Sequence, residues 1–151
     1  MRKMRVAVVF VLVALSVGTA VWADGMQKVS VPVAGAYMEP AVGGPVAYMG
    51  VVTFYWSPAV DTAGNPIWNH TGILEGDAWK LSDGVKFKIY SFCQNCVDPS
   101  QGGTITMTDP FWAVGVPGPA IPAFEGSLTV TLQLPSNAAL PSVSDVVLAM
   151  R

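Results

Sequence analysis

Charge is scarce in this chain. Lys, Arg, Asp and Glu make up 12% of its 151 residues, beside a single histidine and two cysteines. An ordinary globular domain carries about 25% charged residues. The basic residues are few and scattered, with Lys80, Lys86 and Lys88 the one local group, so the chain lacks the basic stripe that nucleic-acid binding needs. Two cysteines exclude a disulfide-dense scaffold. Two cysteines and one histidine also fall short of the usual four-ligand zinc site. No Gly-rich phosphate loop is present, and no Ser or Cys stands in a nucleophile elbow. Val97, not His, follows the second cysteine, which excludes covalent attachment of a c-type haem.

Long apolar runs are lacking as well, except at the start. Arg2, Lys3 and Arg5 precede the apolar run from Val6 to Val17. Val21 and Ala23 then stand at −3 and −1 to a break after Ala23. This layout predicts a secretory signal peptide over 1–23. The 18 residues from Val6 to Ala23 reach only the lower limit of a bilayer span, and no stop-transfer charges follow them. The expected mature chain, 24–151, has 128 residues, five basic and ten acidic, for a formal charge of −5. It contains no second run long enough for a helical membrane span. The expected location is the periplasm or the extracellular space, and the length points to one domain.

Three stretches are punctuated by Gly and Pro: 24–45, 57–84 and 109–126. Proline has no N–H and a fixed φ, so these stretches read as connections rather than central strands. Between them lie strand-like runs. Val46–Trp56 is rich in β-branched and aromatic residues. Val85–Phe92 alternates, with Lys86 and Lys88 on one face. Thr104–Thr108 sets three threonines against Ile105 and Met107. Ser127–Leu134 sets Leu128, Val130, Leu132 and Leu134 against Thr129, Thr131 and Gln133. Period-2 alternation marks strands with one buried face. Val143–Met150 reads as a final strand, with a helix after Pro141 as the alternative. The 57–84 connection is too long to be structureless and is expected to hide short strands near Ile67–Trp68 and Ala78–Leu81. The expectation is all-β: a small antiparallel β-sandwich, Ig-like or jelly-roll-like, with long Gly/Pro-rich loops. In this division 24–45 is an extended N-terminal segment and 46–151 the sandwich.

Cys93-Gln94-Asn95-Cys96 is the most specific local feature. It follows a strand and precedes a turn-rich stretch, so it is placed at a hairpin end. In an oxidising compartment the expected state is a small structural disulfide, Cys93–Cys96. Two alternatives remain open. One is a redox dithiol, although no helix N-terminus or adjacent cation is there to lower a thiol pKa. The other is a metal site, with copper held by Cys93, Cys96 and Met107 as the form to test. No cofactor is expected otherwise. His70 reads as a solvated loop residue within Asn69-His70-Thr71, which also fits a glycosylation acceptor. Glu39, Glu75, Asp77 and Glu125 all fall in turn-rich segments, and no acidic residue stands on an expected strand facing a groove, so no glycosidase pair is evident.

Trp68, Trp79 and Trp112 fall in or beside connections. Exposed flat rings on a β scaffold can stack on the apolar face of a sugar, so these three are candidate ligand contacts. Export, alternating strands and a charge-poor surface together predict a non-catalytic binding or surface-assembly module. Residues 24–45 are the expected element for self-assembly or a protein partner, by adding a strand to an open edge. Carbohydrate binding through the tryptophans is the alternative ligand role, and a periplasmic copper or thiol-redox role through the cysteine pair is the other.

Overall fold

The computed structural model describes residues 20–21, 25–118, 122–135 and 140–150. The expected leader, 1–23, lies outside these residues apart from Ala20 and Val21. The described chain is a meander of eight strands in one sheet, ordered as in the sequence. They are β1 (Ala20–Val21), β2 (Gln27–Glu39), β3 (Gly44–Val60), β4 (Pro66–Lys80), β5 (Lys86–Val97), β6 (Gly103–Val116), β7 (Pro122–Leu134) and β8 (Ser142–Met150). Every successive pair is antiparallel. The long sheet curls until β8 returns beside β2, although the two share no hydrogen-bonded ladder. The result is a nearly closed, barrel-like sheet. The all-β, antiparallel expectation holds; the two expected sheets are a single continuous one.

Alternation sets the wall. On β3, Val46, Val52, Phe54 and Trp56 point inward and are fully buried; on β7, Leu128, Val130 and Leu132 do the same. Burying side chains of this size contributes about 1.5–3 kcal/mol each. The threonine face of β6 looks outward as expected. Its hydroxyls meet those of β7 in the pairs Thr106–Thr131 and Thr108–Thr129, and Thr104 donates to Gln133 Oε1. Lys86 and Lys88 are exposed too. At one point the two backbones come very close, with Gly50 on β3 opposite Gly76 on β4. A Cβ on Gly50 would lie 2.7 Å from the Glu75 carbonyl oxygen. Only glycines let the two backbones approach this closely.

Several boundaries differ from the sequence reading. The stretch 57–84 holds one long strand, β4, rather than two short ones. Residues 27–39, inside the expected extended segment, form β2 and pair with β3 along their whole length. The C-terminal run is a strand. Pro110 lies within β6, where a central strand was excluded. Its carbonyl accepts a bond from Ser91 Oγ at 2.6 Å, so that edge of Pro110 faces β5. The nitrogen of a strand residue points the same way as its carbonyl, so the missing N–H also faces β5. The β5–β6 ladder accordingly runs only from Lys86–Val116 to Tyr90–Trp112 and stops before Pro110. No helix among the described residues is long and apolar enough to cross a membrane.

Candidate functional site

The expected disulfide is not formed: Cys93 and Cys96 are both free thiols. The reason is local geometry. The pair lies within β5 rather than in a turn. Residues three apart on a strand point to opposite faces, with Cα atoms about 10 Å apart. A disulfide needs Cα atoms within about 7 Å. Cys93 faces the interior and is 5% exposed, whereas Cys96 is exposed and donates to Asn69 Oδ1 at 3.2 Å. The same opposition separates Cys96 from Met107, which packs against the core. The three residues of the copper alternative are therefore not brought together.

The interior end of β5 carries a polar cluster instead. His70 on β4, taken from sequence as a solvated loop residue, is 2% exposed. Its ring stacks on Phe54 (5.3 Å between centroids, planes 25° apart) and tilts against Trp56 at 4.6 Å. Burial lowers its pKa from 6.5 to about 4, against a smaller upward pull from Asp109 on β6. His70 is thus neutral at pH 7. Burial and then the Asp109 charge push the Cys93 thiol up to about 11. Such a thiol is the reverse of an activated nucleophile, which needs a lowered pKa. Gly72 makes room for the group: a Cβ there would lie 2.7 Å from Cys93 Sγ and 3.4 Å from His70 Nε2.

The outer face carries the second candidate. Register places Pro32, Val51, Glu75, Tyr90 and Trp112 in one row across β2–β6, with Ala34, Met49, Asp77 and Lys88 in the next. Met49 and Phe92 are each 55% exposed, and Tyr90 and Val51 each 42%. A shallow groove of about 450 Å³ runs over Gly50 and Gly76, walled by Pro32, Met49 and Val51 on one side and Glu75 and Asp77 on the other. Asp77 pairs with Lys88. The three predicted tryptophans do not share one surface. Trp112 lies outward beside Tyr90, half-buried. Trp79 lies outward beside Lys86, four residues away along β5, or about 13 Å. Trp68 is packed against the core. Sequence reasoning missed Tyr90 and Phe92, although their i, i+2 spacing on an alternating run marks them as one face. No protein-family model, curated protein or solved structure matches the chain.

Proposed function

We propose that the chain is an exported, non-catalytic module that assembles through its outer surface with further copies of itself. The observation that carries this reading is the outer face of β2–β5, where Met49 and Val51 wall the groove and Tyr90 and Phe92 are exposed further along the same face, on β5. Exposed apolar patches on folded domains mark interaction sites. Residues 24–45 supply a second element. Among the described residues β2 is laddered on one side by β3 and on the other only at Gln27 and Lys28, by β1. β8 stands beside the rest of that side without a ladder, and a neighbouring strand that displaces it can add there. A layered, sandwich-like arrangement fits the same picture. The ladder is absent between β2 and β8 and confined to five residue pairs between β5 and β6, so β2–β5 and β6–β8 are the two most continuously paired parts of the one sheet.

The test is sedimentation of the exported chain beside Met49→Lys and Phe92→Lys. Concentration-dependent association in the wild type, lost in both variants with melting temperature unchanged, supports the reading. A wild type that stays monomeric at millimolar concentration ends it. A second reading, carbohydrate binding, is favoured by the cross-strand neighbours Tyr90 and Trp112 beside Glu75, Asp77 and Lys88: flat rings to stack, with polar groups to meet hydroxyls. Titrating tryptophan fluorescence with a polysaccharide panel, in wild type and Trp112→Ala, tests it. A flat response across the panel removes it.

A further inference from the structure

Five buried side-chain polar atoms among the described residues have no hydrogen-bond partner, and four of them belong to one neighbourhood: Trp56 Nε1, His70 Nδ1, His70 Nε2 and Asp109 Oδ2. Trp56 is wholly buried and His70 nearly so. A neutral imidazole presents one N–H and one lone pair, an indole one N–H, and a carboxylate oxygen accepts. The four atoms therefore comprise two donors and two acceptors in a region where the core is otherwise apolar. A buried polar group left unmet has lost its hydration with nothing in exchange, and four such groups together would rival the whole stability of a domain.

The wall is also different here. The β5–β6 ladder stops at Tyr90–Trp112, and its register, carried onward, would set Cys93 opposite Asp109. In place of backbone bonds, the Ser91 hydroxyl donates to the Pro110 carbonyl, and Cys93 lies within electrostatic reach of Asp109. An interrupted ladder gives small molecules a way through the wall that an intact one does not.

We propose that this neighbourhood is an internal hydration site, in which a water molecule entering between β5 and β6 bridges His70 and Asp109 and accepts from the Trp56 indole. A water molecule offers two donors and two lone pairs, enough to meet Asp109 Oδ2, the Trp56 indole N–H and one imidazole nitrogen; the two ring nitrogens point apart, so the other needs a partner of its own. The surroundings are tight: a Cβ on Gly72 would lie 2.7 Å from Cys93 Sγ and 3.4 Å from both His70 Nε2 and a Phe54 ring carbon. A metal ion needs several converging ligands, and no group of three His, Cys, Asp or Glu among the described residues is placed to hold one.

The test is nuclear magnetic resonance on the ¹⁵N-labelled wild-type chain, reading dipolar transfer from water to ring N–H protons, separated by its sign from proton exchange. His70 is the only histidine, so its ring signal is unambiguous; Trp56→Phe assigns the indole. The expected result is a water cross-peak on both the His70 and Trp56 ring protons, with the Trp56 peak lost in His70→Phe. Asp109→Leu serves in its place if that variant does not fold, and is expected to remove the peak on His70. A folded wild type with no water cross-peak on His70 overturns the proposal. So does a Trp56 peak that survives unchanged in His70→Phe.

Discussion

Acidification should destabilise this protein through one residue. His70 is the chain's sole histidine, and its pKa falls from 6.5 to about 4 on folding because burial disfavours the imidazolium. Between those values the unfolded chain binds a proton that the folded chain does not. Stability is therefore complete above about pH 6.5 and falls as pH drops toward 4. At 1.36 kcal/mol per pH unit, the total loss is about 3 kcal/mol, a large part of the margin of a domain this size. Urea unfolding followed by tryptophan fluorescence, at steps from pH 7.5 to 4, gives the slope by linear extrapolation. His70→Phe keeps the ring stack with Phe54 and Trp56 and should flatten the profile over that window, whatever its absolute stability. Other shifted groups lie outside the window. Asp61, Asp83 and Asp98 are held below the usual carboxylate range by the side chains of Asn65, Lys80 and Ser100 respectively, so their contributions are lost only at more acid pH. A wild type and His70→Phe with the same pH dependence would refute the reasoning.

Three further outcomes follow from the same geometry. Gly76→Ala should destabilise by about 3 kcal/mol, because its Cβ would press on the Met49 carbonyl and the Gly50 Cα, backbone atoms that cannot swing aside; chemical denaturation measures it. Thiol labelling of the native protein should modify Cys96 quickly and Cys93 only on unfolding, with two thiols titrating in denaturant without reductant; a single or absent thiol would contradict the strand geometry. Asp77→Asn should change stability by less than about 0.5 kcal/mol, since Asp77 and Lys88 are both more than half exposed and surface ion pairs contribute little.

Much of the fold was legible because most strands alternate cleanly. Ser127–Leu134 and Thr104–Thr108 lie within β7 and β6 with the buried and wet faces expected from sequence. β4 was obscured because its inward row is Trp68, His70, Gly72, Leu74, Gly76 and Ala78. Two glycines and a histidine there hide the apolar half of the pattern. The outward row, with Asn69, Thr71, Glu75 and Asp77, still carried a polar alternation. The cysteine pair misled for a related reason. Gln94 and Asn95 look like turn residues, yet the turn comes later, where Asp98 accepts from the Ser100 N–H and starts a short 3-10 turn at Pro99. The interior site was not legible at all. It depends on which residues of β4, β5 and β6 fall into neighbouring rows, and register is a property of pairing rather than of any one segment.

The two places where the ladder fails have different causes and a common remedy. Seven successive antiparallel strands, β2 to β8, make the first and last run in the same direction. The hairpin pattern that builds every other pairing therefore cannot close the seam between them. There the Tyr48 hydroxyl takes the Leu148 backbone N–H, with its ring lying where any Cβ on Gly35 would stand. Between β5 and β6 the cause is chemical: Pro110 has no N–H to give, and the Ser91 hydroxyl donates to its carbonyl instead. In both cases a side-chain hydroxyl stands in for a backbone bond, satisfying one polar group but not restoring a ladder. The cluster of Cys93, His70 and Asp109 lies beside the second interruption. Polar side chains there stand next to a gap in the ladder, whereas behind an intact ladder they would be sealed in wholly apolar surroundings.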